Sequence, residues 1–195
     1  MILILDPGDP FLGGLVQLLL TAGAEVRVRP ADHPATDVPP AGWEGLVVAS
    51  GPGGPDLPEP ARAEISRARG RLPILGVGLG HLSLAALHGA RIVPSPGLRH
   101  GRTSPVLHRG RGLFAGVENP FAAVRYDALS VEGSSLPEVL ELAAWTPDGE
   151  VMALRHREQA IWGVQSPPQS ILTEPGPRIV ENFLTLCRQH KEVPR

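Results

Sequence analysis

The chain has 195 residues, 42% of them hydrophobic and 19% charged, a length and balance that fit one domain with a full core and exclude a disordered polyampholyte. A formal net charge of −2, with the basic residues scattered, excludes a dedicated nucleic-acid or acidic-membrane surface. One cysteine, Cys187, excludes an internal disulfide and a cysteine-based zinc site, and its apolar-periodic surroundings make it a small core residue.

Ile2 to Leu5 is a continuous apolar run, the pattern of a strand buried on both faces. The run is far too short for a signal peptide, and no other stretch spans a bilayer, so a cytoplasmic protein is expected. Asp6-Pro7-Gly8-Asp9-Pro10 is a turn, and Phe11 to Ala22 carries apolar residues at helical spacing until Gly23 stops it. Ala24 to Val28 is a second strand, and Pro30 to Gly42 is a Pro-rich loop or degraded helix. Gly45 to Ala49 is a third strand, followed by the loop Ser50-Gly51-Pro52-Gly53-Gly54-Pro55 and a charged-faced helix from Glu59 to Arg69. Pro73 to Val77 is a fourth strand, leading through Gly76, Gly78 and Gly80 into an apolar helix that Gly89 ends.

This alternation predicts a parallel sheet with helices on both faces, in which ligands bind beyond the carboxyl ends of the strands. The Ser50–Pro55 loop and the Gly76–Gly80 turn both fall there. The second half changes to short strands: Ile92-Val93, Ser104 to Leu107, Ala122 to Tyr126, Leu140 to Trp145, Val151 to Arg155 and Ile161 to Gln165. Asp148-Gly149 is a hairpin turn, and Pro177 to His190 is a closing amphipathic helix. With no repeat and no linker, residues 1–195 form a single domain.

The strand–turn–helix around Gly78 has the form of a nucleophile elbow, which presents its apex residue beside free backbone N–H groups at a helix start. Here the apex has no side chain. A dinucleotide-binding loop needs a further glycine where the chain has His81 or Ser83, so that reading fails. His81 and His88 lie seven apart on one helix and lack a third ligand, so no metal site is expected. Ser83, five residues after the apex, and Ser166 are conceivable substitute nucleophiles, but neither has an evident base. Asp127 is a candidate partner of His156 or His81, a pairing that sequence alone leaves open. Arg155-His156-Arg157-Glu158 reads as a solvated, ion-paired segment.

Several stretches, taken together, carry a resemblance that runs nearly end to end. They include Gly51-Pro52-Gly53-Gly54-Pro55, Pro73-Ile74-Leu75-Gly76-Val77, Leu79-Gly80-His81 and His100-Gly101-Arg102-Thr103-Ser104-Pro105. Gly112-Leu113-Phe114-Ala115-Gly116, Asp148-Gly149-Glu150, Gly163-Val164-Gln165 and Ser170-Ile171-Leu172-Thr173-Glu174 extend the set. The chain resembles a class I glutamine amidotransferase, the glutaminase subunit of anthranilate synthase or aminodeoxychorismate synthase. The resemblance implies a flavodoxin-like α/β fold: a central, mostly parallel sheet with helices on both faces and an added antiparallel strand region.

In that family a cysteine follows Gly-Val, a histidine and a glutamate lie in Gly-Val-Gln-Phe-His-Pro-Glu-Ser, and the ammonia released passes to a partner that aminates chorismate. Mapped residue by residue, the cysteine is Gly78, the histidine Pro167 and the glutamate Gln169. Gly78 cannot attack a carbonyl, Pro167 has no ring to take a proton, and Gln169 has no charge to orient an imidazolium. Loss of a triad's nucleophile alone removes on the order of 10^6 in rate. The pocket departs as well. Leu82 replaces a glutamine, Arg125-Tyr126-Asp127-Ala128 replaces Arg-Tyr-His-Ser, and the first loop differs.

The sequence therefore predicts a pseudo-glutaminase that uses no cofactor and does not hydrolyse free glutamine. It would be a structural or allosteric subunit of a chorismate-using or other ammonia-using synthase. The alternative is a cleft repurposed for other small-molecule chemistry or for sensing. The expected residual oxyanion and pocket residues are Gly51, Pro52, Gly53, Leu79, Gly80, His81, Leu82, Asp127 and Ala128. Glycine at the apex is also what stability alone selects, since an elbow strains any residue that carries a Cβ.

Overall fold

A computed structural model describes residues 1–34 and 42–192. The strands and helices follow in the order β1 (Ile2–Asp6), α1 (Leu12–Thr21), β2 (Val26–Pro30), β3 (Gly45–Val48), α2 (Glu59–Ala68), β4 (Ile74–Val77) and α3 (Leu79–Leu87). They continue with β5 (Ile92–His108), β6 (Phe121–Val131), β7 (Leu140–Trp145), β8 (Val151–His156), β9 (Ile161–Val164) and α4 (Gly176–Glu192). Most of the segment expected to be a Pro-rich loop lies outside the described residues. Its first residue, Pro30, closes β2.

The described strands form one nine-stranded sheet in the order β2-β1-β3-β4-β9-β8-β7-β5-β6. The run from β2 to β9 is parallel, and every later pairing is antiparallel. Alternation along the central strands divides the core. Ile2 and Ile4 of β1 join Leu15 and Leu19 of α1 and Phe183 of α4 on one face. Leu3 and Leu5 join Ile65 of α2 and Leu84 of α3 on the other. Each such fully buried side chain contributes about 1.5–3 kcal/mol, and strands covered on both faces have no solvated side on which to carry polar residues.

Cys187 sits in the first of these cores. Its Sγ lies 2.8 Å from where a Cβ on Gly45 would stand, so the small residue at 45 makes its room. Burial pushes its thiol up to about 12.

The second half departs from expectation at two strands: the one expected at Ala122–Tyr126 runs on to Val131, and β5 differs more. The two short strands expected at Ile92-Val93 and Ser104–Leu107 are the ends of a single 17-residue strand, β5. Pro94, Pro96, Gly97 and Gly101 read as breakers, but the strand absorbs them in register shifts between Pro94 and Arg99 and between His100 and Arg102. Gly101, at φ 70°, supplies a left-handed residue at the second of these. The expected hairpin at Asp148-Gly149 joins β7 to β8, with Gly149 at φ 91°.

Candidate functional site

A cleft of about 440 Å³ opens at the carboxyl end of the parallel strands. Gly8 to Phe11 enter it from the loop after β1, Ser50 to Gly53 from the loop after β3, and Gly78, Leu79 and Leu82 from the β4–α3 turn and α3. Tyr126 to Leu129 of β6 form another wall, with Gln165, Pro167 and Gln169 after β9. Placement beyond the strand ends is what a doubly wound sheet dictates.

The turn between β4 and α3 retains the shape of an elbow. Gly78 stands at φ 55° and ψ −111°, a backbone state that only glycine adopts freely. Its N–H donates to the Val164 carbonyl at 2.9 Å, tying the apex to β9. The next N–H, that of Leu79, donates to Ser50 Oγ at 3.3 Å. A Cβ built on Gly78 would lie 2.6 Å from the same Ser50 Oγ. One hydroxyl thus crowds the place of a nucleophile's first carbon and uses the donor nearest the apex.

This corrects the expected oxyanion set. Gly51, Pro52, Gly53, Leu79, Leu82, Asp127 and Ala128 line the cleft as expected, but Gly80 and His81 do not. A Cβ on Gly80 would lie 2.1 Å from the Val48 carbonyl oxygen, so this glycine faces the sheet and lets α3 approach β3. His81 is fully buried against Gly163 of β9. The expectation placed the two beside the apex because they follow it in sequence. The helical rotation of about 100° per residue turns them toward the sheet, while Leu79 and Leu82, three apart, share the cleft side. Burial drives the His81 pKa down to about 3, outweighing a small upward pull from the Gly163 backbone, so the ring is neutral at physiological pH; neither ring nitrogen has a hydrogen-bond partner among the described residues.

The serines considered as nucleophiles have no base. Ser83 is fully buried in α3, and Ser166 is buried between Gln165 and Pro167; neither hydroxyl has a hydrogen-bond partner among the described residues. Nor is Asp127 paired with a histidine. His156 stacks edge-on against His88, with ring centroids 5.2 Å apart. Its Nδ1 accepts the Glu158 and Gln159 N–H groups at 3.1 and 3.0 Å. Of the segment read as solvated, Arg155 and Arg157 reach Glu141 at 2.8 and 3.8 Å, but His156 is buried. Among the described residues no group of three or more His, Cys, Asp or Glu is placed to hold a metal ion.

Asp127 belongs to a buried ionic network beneath the cleft. Arg125, 1% exposed, donates through Nε to Asp127 and through an Nη to Glu150 at 2.9 Å. Ser95 Oγ donates to Glu150 at 2.7 Å, and Gln165 Nε2 donates to Asp127 Oδ1 at 2.9 Å. Two carboxylates on one guanidinium leave the network one negative charge in surplus when both are ionised. Burial raises the Asp127 pKa against the opposing pull of Arg125, and the nearby Glu150 charge adds to the rise.

A second carboxylate, Asp9, was not singled out from sequence. It is 7% exposed, its Oδ1 accepts the Phe11 N–H at 2.8 Å, and its Oδ2 has no hydrogen-bond partner among the described residues. Burial raises its pKa against the Phe11 and Ser50 backbone N–H groups, which lower it, and the Asp6 charge adds to the rise. Its signal was positional: it lies in the loop after the first buried strand, where ligand contacts gather in such sheets. The exposed ring of Phe11 stacks on Tyr126 with centroids 5.8 Å apart, and His100 meets Tyr126 edge-on at 5.0 Å.

Comparison with known proteins agrees with this architecture. Residues 3–187 match the family model described as glutamine amidotransferase class I. The aminodeoxychorismate synthase component 2 of Klebsiella aerogenes is 41% identical, over 94% of this chain and 99% of its own length. The anthranilate synthase component 2 of Pseudomonas aeruginosa is 40% identical, over 94% of each. The chain spans only 32% of the longer bifunctional protein TrpGD of Thermotoga maritima, to which it is 38% identical. A crystal structure of a GMP synthase component from Thermoplasma acidophilum superposes with a TM-score of 0.85 over 98% of this chain and 95% of its own; at 23% identity it shows the fold alone. The chain belongs to the class I glutamine amidotransferase family.

Proposed function

We propose that this chain is a non-catalytic member of its family, a pseudo-glutaminase that acts as the structural or allosteric subunit of a chorismate-using or other ammonia-using synthase. The observation that carries the reading is the apex of the elbow. Gly78 offers no nucleophile, and Ser50 Oγ lies 2.6 Å from where a Cβ would stand. The residues that the resemblance places as base and orienting acid are Pro167 and Gln169, neither of which can perform its part. The partner is supported by relatives of near-equal length that are named as components 2 of two chorismate-using synthases. Exposed apolar side chains stand on two segments that contribute to the cleft: Phe11 at 58%, stacked on Tyr126 at 38%, and, past Gln169 in sequence, Ile171 at 93% and Leu172 at 45%. Exposed apolar side chains of this size suit a docking surface.

Two measurements test this. Purified chain incubated with glutamine releases no ammonia above a heat-inactivated control; sustained release would refute the inactive reading. Tagged chain recovered from its native lysate brings with it a synthase subunit in stoichiometric amount, one whose ammonia-dependent rate the chain alters. Ile171→Asp weakens that association at least tenfold if the exposed isoleucine is buried at the interface, a loss of about 1.4 kcal/mol or more. The second reading, a repurposed cleft, draws on the open volume and on the two carboxylates that line it. Recovery of the chain alone would favour it.

A further inference from the structure

We infer that the cleft is a binding site for a small organic ammonium ion, a primary amine on an apolar body that bears no carboxylate. The charge of the lining comes first. Among the described residues, Asp9 and Asp127 are its only ionisable groups besides Tyr126, and it contains no Lys, Arg or His. The cation beneath it, Arg125, is held by Asp127 and Glu150; its Nη1 has no partner among the described residues, but the residue is 1% exposed and lies outside the lining. A carboxylate ligand would meet no counter-charge and two like charges.

The unused hydrogen-bonding capacity comes second, and most of it accepts. Asp9 Oδ2 has no hydrogen-bond partner among the described residues, on a residue only 7% exposed, and the Ser50 backbone offsets only part of the effect of its burial. Gln165, 5% exposed, has its orientation fixed by chemistry. Its amide nitrogen must be the end that faces the Asp127 carboxylate, because its oxygen there would repel. Gln165 Oε1 is therefore the end left over, and it has no partner. Gln169 lines the same cleft with both amide atoms buried and unpartnered. A buried polar atom without a partner costs about 1–3 kcal/mol, more when charged. An ammonium group presents three donors and one positive charge, which answers these three acceptor oxygens, one of them on the Asp9 carboxylate.

The apolar share of the lining fixes the rest of the ligand. Leu79, Leu82, Leu129 and Pro167 receive a hydrocarbon body, and the Phe11–Tyr126 stack offers ring faces to a cation. A volume of about 440 Å³ lies within the range of small-molecule sites.

The test uses three probes of one shape and different charge: benzylamine, benzyl alcohol and benzoate, titrated calorimetrically into the full chain at neutral pH. Benzylamine binds saturably and at least tenfold more tightly than benzyl alcohol, the ratio expected for a charge-assisted hydrogen bond, and benzoate does not bind. Asp9→Asn keeps the acceptor for the Phe11 N–H and removes the charge. It loses benzylamine affinity at least tenfold while its melting temperature at pH 7 stays level or rises, because an unpaired buried charge has been removed. A purely structural aspartate would lower both. Gln169→Leu, which leaves no protein group without its partner, weakens benzylamine several-fold and serves if Asp9→Asn does not fold. Benzoate or benzyl alcohol binding as tightly as benzylamine overturns the inference. So does wild-type benzylamine affinity in both variants, or no saturable binding of benzylamine below about 10 mM. The inference rests on the reading that glutaminase chemistry is absent, and the two fail separately. Ammonia release from glutamine refutes that reading, whereas indifference to amines refutes only this one.

Discussion

Gly76, Gly78 and Gly80 occupy alternate positions of one turn, and the structure gives the outer two a different reason from the middle one. A Cβ on Gly76 would lie 2.5 Å from the Gly80 carbonyl oxygen, and one on Gly80 would lie 2.1 Å from that of Val48. Backbone fills both places, and backbone cannot step aside. The Cβ of a residue at 78 would meet instead a serine hydroxyl at 2.6 Å, the end of a short side chain on a loop. The flanks are therefore fixed by how closely α3 must pack on β3 and β4, whatever the turn presents. The apex is free of that constraint and reports on chemistry. With no side chain to present, glycine holds the backbone at φ 55° without strain.

The contrast breaks most visibly at the flanks. Gly80→Ala must push α3 off the sheet, and we expect a destabilisation beyond the usual ~1–3 kcal/mol of overpacking, enough to lose the cooperative melting transition. A Gly80→Ala chain that melts normally in a thermal scan would show that α3 is less tightly seated than the distances imply.

Within α3, His81 gives the next largest effect, through pH. Its folded pKa of about 3 lies below its unfolded value of 6.5. The unfolded chain therefore binds the proton that the folded chain refuses, and stability falls as pH drops through the window from about 6.5 to about 3. His81→Phe flattens the slope of unfolding free energy against pH in that window, measured by urea titration at a series of pH values. Asp9 works with the opposite sign. Its folded pKa is raised above the ordinary 3.8, so the folded chain holds the proton longer and stability falls as pH rises from 3.8 to the raised value. Asp9→Asn removes that fall, so its advantage over wild type is absent in acid and appears as pH rises.

The α/β architecture was legible because buried parallel strands leave continuous apolar runs and glycine stops. Ile2 to Leu5, Gly45 to Ala49 and Pro73 to Val77 all become strands in one core. The elbow was legible from its alternating glycines, and Leu79, Leu82, Asp127 and Ala128 lie in the lining of the cleft. What sequence could not resolve was facing. Adjacent residues of one helix diverge by about 100°, so nearness in sequence to Gly78 said nothing about His81. Asp9, Gln165 and Ser50 meet at the cleft from three separate loops. No spacing rule links positions brought together only by the crossovers of a sheet. The single long strand β5 was hidden by its own prolines and glycines, which mark bulges as readily as ends.

The apex yields the smallest change in stability. Gly78→Cys places a side chain at φ 55° and against Ser50 Oγ, and we expect a loss of roughly 1–3 kcal/mol. Adding Ser50→Ala removes the closest contact and frees the Leu79 N–H, so the double variant recovers part of that loss. Thiol labelling follows the introduced group cleanly, because Cys187 is 2% exposed and burial holds its thiol near a pKa of about 12. Wild-type protein should resist a thiol-specific disulfide reagent at pH 8 until it is unfolded, since thiolate is the reactive form. Both variants should label at one site in the native state, the double variant faster. Neither should release ammonia from glutamine, because Pro167 supplies no base for the new thiol and Gln169 no charge behind it. Glutamine turnover by the double variant would mean that a base other than the residue after Ser166 serves this cleft, and that the chain is one substitution pair away from its family's chemistry rather than long removed from it.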